Sequence, residues 1–350
     1  MANENDDIFE ETLTQQLNTF RIDATVRRKV LRDLRRLENK IIAEIAEIAP
    51  ADSERFQARR LRSLLQRVRA LINADYETIN QELEEELTGL ARIESDRQGK
   101  ILSDTLEVAV TTTSLPESRV NSIYRNTLIE GAPSRQWWAR QSRQLNQRFE
   151  DQMREGLLLG ETNEQLIRRV RGTRTFNFTN GIMNITRRNA ETLVRSSVQA
   201  VANQARFEML QANRDVLRSY RHVSTLDSRT SDQCIVRDNK RWDAQTLEPI
   251  GHSLPFRVPP IHFNCRSTLV GEVRGTNLVD DAERASIDGP VPARTDFREF
   301  LERKGKAFQD EVLGPGKAEL WRDGKITLQQ LLDQQGNPLT LAELRQRYDN

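Results

Sequence analysis

"ATVRRKVLRDLRRLENKIIAEIAEIA", residues 24–49, is the strongest indication of fold class in this 350-residue chain. Its apolar side chains recur at spacings of four and three: Val30, Leu34, Leu37, Ile41, Ile45 and Ile48. A repeat of about 3.6 residues places them on one face, so the spacing predicts an amphipathic helix that Pro50 ends. A second apolar seam runs from Leu61 to Leu90, and neither Gly nor Pro interrupts residues 51–88. We therefore expect two long helices paired as an antiparallel hairpin.

Further helices are predicted on both sides of one segment with a different character. Helical patterns follow Ser134, Thr162 and Thr186, whereas residues 217–275 are rich in Pro, Gly, Asp and Thr. Within that segment we expect two strands, near 218–224 and 267–273, to pair. The predicted fold is mostly α: a long N-terminal helical hairpin and helical bundle, a small α+β module at about 217–275, and a short helical C-terminal tail. The corresponding segments are 1–131, 132–216, 217–275 and 276–350.

Composition excludes several classes of protein. Charged residues make up 30% of the chain, hydrophobic residues 37%, and the mean hydropathy is −0.68, so we expect a soluble, helical protein. No run approaches the roughly 20 apolar residues of a membrane span, and the start, MANENDDIFE, lacks the features of a signal peptide. Two cysteines are too few for a disulfide framework, which suits synthesis in a reducing cytoplasm.

Positive charge is concentrated in the middle of the chain. The formal net charge is +1, yet residues 134–221 contain 16 Arg, no Lys and 8 acidic residues, a local charge of +8. Because the guanidinium fork suits carboxylates and phosphates, this segment offers candidate nucleic-acid contacts: Arg168, Arg169, Arg171, Arg187 and Arg188. The alternative is a solvated helix face in a protein that prefers Arg, since the chain has 45 Arg and 8 Lys.

All three histidines and both cysteines lie between residues 222 and 265. Cys234, His252, His262 and Cys265 follow the pattern C-x17-H-x9-H-x2-C, which supplies the four nitrogen and sulfur ligands of tetrahedral zinc. A second closely spaced pair is missing, because Ser231 stands where the partner of Cys234 is expected. Two other readings stay open: a pair of buried thiols, and a disulfide formed after release from the cell.

The same residue types also permit a catalytic reading. A thiol, an imidazole and an orienting carboxylate could come from Cys265, His262 and Asp227, although nothing in their spacing selects that geometry. His262 and Asn264 imitate part of a nuclease site of the HNH type. They point to the same side of an extended segment, however, and no helix with a second histidine follows.

Two stretches resemble a known family. "STLDSRTSDQC" (224–234) and "PPIHFNCRSTLVGEV" (259–273) are similar to the core of the phage Mu F-like minor head proteins, also described as phage head morphogenesis proteins and related to the SPP1-type minor capsid protein. The matching positions are Thr225, Asp227, Arg229, Thr230, Cys234, Pro259, Pro260, His262, Cys265 and Arg266. The helix "RRNAETLVRSSVQAVANQAR" also resembles a family helix, with Arg195 and Asn203 matching. The resemblance covers roughly residues 160–345.

The chain departs from the family where many members have cysteine, at Ser231 and Ser267. This departure favours a structural and replaceable role for the thiols. We therefore interpret the motif as a brace for a loop-rich segment, in which the prolines fix φ and Arg266 can pair with Asp227. We therefore expect no catalytic residue in this motif, and a structural zinc ion is the one cofactor that the residue types suggest.

The resemblance implies a virion protein at the portal vertex inside the capsid, with the host cytoplasm as its location during assembly. Its implied role is head morphogenesis and DNA packaging or ejection. The implied partners are the phage portal protein, a scaffold or major capsid protein, and packaged DNA. The competing hypothesis is a metal- or thiol-dependent hydrolase, or a toxin-like effector delivered with the virion, that uses Cys265, His262 and His252.

Overall fold

The computed structural model describes residues 3–47, 54–106, 113–279 and 281–348. Among them the chain forms eleven α-helices: α1 (Glu4–Ala46), α2 (Glu54–Thr105), α3 (Glu117–Asn126), α4 (Ser134–Leu158), α5 (Asn163–Arg171), α6 (Ile182–Ala212), α7 (Asp232–Arg237), α8 (Phe297–Glu302), α9 (Lys306–Leu313), α10 (Pro315–Arg322) and α11 (Leu341–Tyr348). The strands of the same residues are β1 (Leu128–Ile129), β2 (Ala132–Pro133), β3 (Leu217–Val223), β4 (Arg241–Asp243), β5 (Pro249–Ile250), β6 (Thr268–Val273), β7 (Glu283–Ser286) and β8 (Gly289–Pro292). The predicted fold class, mostly α with a small α+β module, is confirmed.

The chain divides into two compact units, each built from segments distant in sequence. The first, which we call the sheet unit, contains Met1–Phe20, Gly89–Ile123 and Gln199–Asn350. The second, the hairpin unit, contains Arg21–Thr88 and Tyr124–Val198. Helices α1, α2 and α6 each supply residues to both units, so the four segments expected from the sequence cut across them.

Within the hairpin unit, α1 and α2 run antiparallel, as their apolar seams predict. Ion pairs join the two helices in opposite order along the chain: Lys29 with Glu86, Lys40 with Asp75, and Glu44 with Arg67. The facing seams are buried: Val30, Leu34, Leu37, Ile41 and Ile45 on α1, and Leu64, Val68, Ile72, Tyr76, Ile79, Leu83 and Leu87 on α2. Pro50, which we expected to end the first helix, lies outside the described residues.

Helices α4 to α6 follow their local signals, with one correction. Ser134 opens α4 as predicted, and Thr162 forms a capping box with Gln165 at the start of α5. The next helix was expected to follow Thr186 as its cap, and this is wrong because α6 already begins at Ile182. Thr186 lies inside α6, where its hydroxyl donates to the Ile182 carbonyl at 3.0 Å. This bond to the residue four positions earlier is the usual one for a threonine within a helix.

The sheet unit contains a four-stranded sheet with the strand order β5-β4-β3-β6. Strands β3 and β6 pair antiparallel, as predicted, with a register that runs from Val223 opposite Thr268 to Leu217 opposite Val273. An added Cβ at Gly271 would come within 2.7 Å of a terminal methyl of Leu210, which would then have to shift. The glycine thus leaves room for the Leu210 side chain of α6 against this strand.

The C-terminal helices are part of the sheet unit's core. Phe297 and Leu301 of α8 pack in one buried cluster with Ile235 of α7 and Trp242 of β4. Asp296 caps α8 by accepting from the Glu299 backbone amide at 2.8 Å. The tail thus packs against α7, which carries Cys234 of the motif, and against β4.

A buried polar layer also lies in the sheet unit. Arg206 of α6 donates to Glu94 of α2 at 2.9 Å and to Gln16 of α1 at 3.1 Å, and both members of the ion pair are fully buried. Gln15 and Thr19 of α1 also donate to the Glu94 carboxylate, at 2.5 and 3.1 Å. Because α1 buries polar side chains in these turns, its apolar periodicity does not reveal a helix before residue 24. The helix in fact begins at Glu4.

Candidate functional site: a buried cysteine and histidine cluster

The pairing of two strands brings the two halves of the sequence motif together. β3 ends at Val223 and β6 begins at Thr268, and these two residues are partners in the register. The segment that follows β3 and the segment that precedes β6 therefore leave the same end of the sheet. The first segment leads into α7, which carries Cys234, and the second carries His262 and Cys265.

Three soft ligand atoms converge at this end of the sheet. The sulfur of Cys234 lies 3.6 Å from the sulfur of Cys265 and 3.2 Å from Nε2 of His262. All three ligand atoms lie within 4.8 Å of one another. Both cysteines are free and buried, with exposed fractions of 2% and 1%, whereas His262 is half-buried.

Hydrogen bonds fix how the His262 ring is oriented. Its Nδ1 lies 2.7 Å from the carbonyl oxygen of Phe263, and because a carbonyl only accepts, Nδ1 carries the proton. Nε2 then presents its lone pair to the Ser231 hydroxyl, 2.7 Å away, and to Cys234. The imidazole is thus held in a tautomer that can accept a proton or bind a metal through Nε2.

The two thiols are electrostatically unequal. The hydrogen bond from Cys234 lowers the pKa of Cys265 well below its usual value against the effect of burial, and His262 lowers it further. The bond to Cys265 and burial raise the pKa of Cys234. The hydrogen bond between the two thiols thus shifts their pKa values in opposite directions.

A charged clamp closes the loop beside this cluster. Arg266 donates to both carboxylate oxygens of Asp227, one of them at 2.6 Å. The Arg229 backbone amide also donates to Asp227, at 3.0 Å, and the Thr230 hydroxyl donates to the Thr225 carbonyl at 2.5 Å. Burial alone would raise the pKa of Asp227, but the bonds and charge of Arg266, with those of Arg229, lower it below its usual value. The anticipated pairing of Arg266 with Asp227 is present.

The remaining motif residues are the two prolines. Pro259 is buried, Pro260 is half-buried, and the bond between them is cis. They precede His262 in the loop that carries two of the three ligand atoms. All the motif residues therefore lie in α7, in the loop that follows β3 or in the loop that precedes β6.

Comparison with known protein families identifies the segment that contains this site. Residues 147–270 match the family model described as Phage Mu protein F like protein. The match covers 124 of the 350 residues and supports a Mu F-like phage head morphogenesis protein. It includes α6, β3, α7 and both halves of the motif, and it confirms the resemblance proposed from the residues. No curated protein and no solved structure matches the chain.

His252 lies outside the cluster of the Mu F-like segment. Its ring packs edge-on against Trp242 with centroids 4.7 Å apart, and its Nε2 lies 2.8 Å from the Arg241 carbonyl oxygen. Its Nδ1 accepts from the Leu254 backbone amide at 3.2 Å. Both nitrogens are therefore used in local hydrogen bonds, and the structure does not assemble the four-ligand set expected from the spacing.

His222 received no role from the sequence. It lies on β3, fully buried, and neither ring nitrogen has a hydrogen-bond partner among the residues that the structure describes. Burial lowers its pKa to about 3, although the charge of Cys265 acts in the opposite direction, so the ring is neutral. Strand β3 buries every residue from Ser219 to Val223, so the alternation of the strand gives no signal for this placement.

The arginines predicted to contact DNA lie in the hairpin unit, and most of them have acidic partners. The ion pairs are Arg168 with Glu164, Arg169 with Glu155 and Glu161, and both Arg171 and Arg187 with Glu38. Arg188 is exposed on α6. These four carboxylates balance most of the charge of the five arginines, and DNA contact by these residues stays a prediction.

In the stretches that the structure describes, no helix combines the length and the apolar character needed to cross a bilayer.

Proposed function

We propose that this protein is a minor head protein at the portal vertex inside the phage capsid, where it acts in head morphogenesis and in DNA packaging or ejection. The observation that carries the proposal is the Mu F-like match over residues 147–270. Its partners are the portal protein, a scaffold or major capsid protein, and packaged DNA. Its location is the virion, and the host cytoplasm during assembly.

The motif geometry supports a bracing role rather than turnover. The Asp227 carboxylate is occupied by Arg266, and the thiols of Cys234 and Cys265 are buried. A cavity of about 350 Å³ lies against Thr225 and Arg266, but its lining includes neither thiol. A hydrolase or toxin-like effector would need a nucleophile that substrate can reach. We therefore propose that the cluster performs no catalysis.

The hairpin unit offers a surface for a protein partner. Long paired helices can present side chains to a groove on another protein. Beside these helices, the unit leaves large apolar side chains exposed: Leu158 at 88%, Leu159 at 66% and Phe176 at 60%. Exposed apolar side chains of this size are typical of protein interaction sites when they form a patch.

The test uses the full chain, because Ile8, Phe9, Ile101 and Leu102 belong to the sheet unit's core, so a deletion of the N-terminal helices would disrupt that unit. We expect the protein to co-purify with the portal protein of the same phage when both are expressed together, and to be present at low copy in purified particles by quantitative mass spectrometry. The double variant Leu158→Ser, Leu159→Ser should reduce co-purification, whereas Leu278→Ser in the sheet unit should not. Absence of the protein from purified particles would refute the proposal.

The non-catalytic part of the proposal has a separate test. Cys234→Ser and Cys265→Ser variants that remain folded should assemble into particles, since their thiols contribute only to bracing. A hydrolytic activity of the wild-type protein that disappears in one folded variant would contradict this.

A further inference from the structure

We propose that Cys234, His262 and Cys265 bind one zinc ion, with the fourth coordination position beside the Ser231 hydroxyl. The site goes beyond the head-protein function, because it concerns how the Mu F-like segment holds its own fold. It also differs from the zinc site expected from the sequence, since His252 has no part in it and a serine position replaces it.

The distances between the ligand atoms fit tetrahedral zinc. Zinc to sulfur bonds of about 2.3 Å and zinc to nitrogen bonds of about 2.0 Å imply separations of about 3.8 Å between two sulfurs and about 3.5 Å between sulfur and nitrogen. The observed separations are 3.6 Å from Cys234 to Cys265 and 3.2 Å from Cys234 to His262. For these two separations, movements of a few tenths of an ångström would accommodate the ion, and the third, from Cys265 to His262, lies within 4.8 Å.

The histidine is prepared as a ligand. Histidines that bind metals through one nitrogen commonly donate from the other to a carbonyl or carboxylate, which fixes the ring and its tautomer. His262 has this arrangement, with Nδ1 directed at the Phe263 carbonyl and Nε2 at the cluster. Two thiols and one imidazole are soft ligands, which select zinc over magnesium or calcium.

Ser231 marks the fourth position. It stands at the N-cap of α7, where a serine hydroxyl normally accepts from an amide of the first helical turn, yet it makes no such capping bond. Its hydroxyl is directed instead at Nε2 of His262, 2.7 Å away. The hydroxyl, or a water molecule bound to it, can therefore complete the tetrahedron. The ion would then join α7 to the proline-rich loop before β6.

The test measures metal content directly. Full-length protein is expressed with zinc in the medium and purified under reducing conditions without an immobilised-metal column, and its zinc is measured by inductively coupled plasma mass spectrometry. We expect about one zinc per chain, lost in Cys234→Ser and Cys265→Ser and retained in the matched control His252→Gln. A metal-free wild-type protein with two reactive thiols, or with a disulfide between Cys234 and Cys265, would overturn the proposal.

A second measurement remains decisive if the cysteine variants do not fold. Wild-type protein is stripped with a chelator and titrated with Co²⁺, which in a tetrahedral thiolate site gives a strong sulfur-to-metal absorption and intense d–d bands. We expect these bands, and a Ser231→Cys variant should show a stronger sulfur absorption and slower metal loss to the chelator. Folded protein that binds Co²⁺ without thiolate absorption would exclude the site.

Discussion

Arg206 and Arg119 each pair with a glutamate in the sheet unit, but burial makes the two pairs unequal. Arg206 and Glu94 are both fully buried, and Glu94 accepts further hydrogen bonds from Gln15 and Thr19. The side chain of Arg119, by contrast, is 57% exposed beside Glu208. Removing one partner of a buried pair leaves an uncompensated charge, whereas removing the exposed Arg119 leaves Glu208 with its hydrogen bond from Gln204.

We therefore expect Glu94→Gln to destabilise the sheet unit by about 3–5 kcal/mol, because Arg206 loses its counter-ion in a buried site. Arg119→Gln, the matched control, should cost about 0–1 kcal/mol. Urea denaturation followed by circular dichroism measures both free energies of unfolding. Equal losses in the two variants would show that the buried layer does not depend on this pair.

The Asp227 to Arg266 clamp predicts a dependence of stability on pH. The pKa of Asp227 is lower in the folded protein than its usual value of 3.8. The stabilisation is therefore complete above the unfolded pKa and is lost as pH falls through the folded value. Asp227→Asn should destabilise the protein by about 1–3 kcal/mol near neutral pH.

That deficit should shrink in acid, since the wild-type carboxylate becomes protonated and then resembles the variant. Thermal unfolding midpoints measured from pH 7 down to pH 3 give the profile. The exposed variant Glu164→Gln should lose little at any pH. A deficit of Asp227→Asn that stays constant to the lowest pH would contradict the role of the charge.

The residues of the cluster were only partly predictable from the sequence. Cys234, His262 and Cys265 were identified as candidate ligands because they are cysteines and a histidine that lie close together in the sequence. The antiparallel pairing of β3 with β6 brings them together in space. His252 was placed in the same set because spacing alone cannot show that its ring packs on Trp242. His222 was left without a role because a single histidine in a strand gives no sign of which groups will surround it.

Among the helices, the regular apolar seams made the helical hairpin predictable. The N-terminal turns of α1 were not predicted, because the residues buried there are polar. The seam from Val30 to Ile45 follows the helical repeat, and the structure buries every one of its members. Earlier in α1, Gln15, Gln16 and Thr19 are buried too, but against Glu94 and Arg206. A sequence pattern assigns such polar positions to solvent, so the first 20 residues of the helix were missed.

The hairpin core gives a prediction of its own. Leu37 of α1 is fully buried in the hairpin unit. Leu37→Ala should therefore destabilise this unit by about 2–5 kcal/mol, through the lost burial of the side chain and the cavity that remains. Leu158→Ala is the matched control, because that side chain is 88% exposed at the end of α4. Urea denaturation of the two full-length variants compares them. Similar midpoints would mean that the seam does not stabilise the unit.

Across the chain as a whole, the net charge is close to zero although one segment is strongly positive. The net charge is +1, while residues 134–221 carry +8. Ion pairs with Glu38, Glu155 and Glu161 engage several of these arginines inside the hairpin unit. Any contact with packaged DNA must therefore depend on the exposed arginines rather than on the full count.

We expect Arg188→Gln in the full-length protein to weaken DNA binding and to reduce the slope of log affinity against log salt by about one, because one phosphate contact is lost. Arg169→Gln should leave the slope unchanged, since that guanidinium is held by Glu155 and Glu161. Fluorescence anisotropy with a labelled duplex, measured at several salt concentrations, tests both variants. Equal slopes for Arg188→Gln and wild type would remove Arg188 from the DNA-contact set.

The interleaved composition of the two units has a consequence for synthesis on the ribosome. The hairpin unit needs nothing beyond Val198, whereas the sheet unit draws on Met1–Phe20, Gly89–Ile123 and Gln199–Asn350. The earliest-made turns of α1 must therefore wait, without their polar partner Arg206 or the strands of the sheet, while nearly two hundred further residues are translated. A nascent chain of this protein completes its middle first and its two ends last.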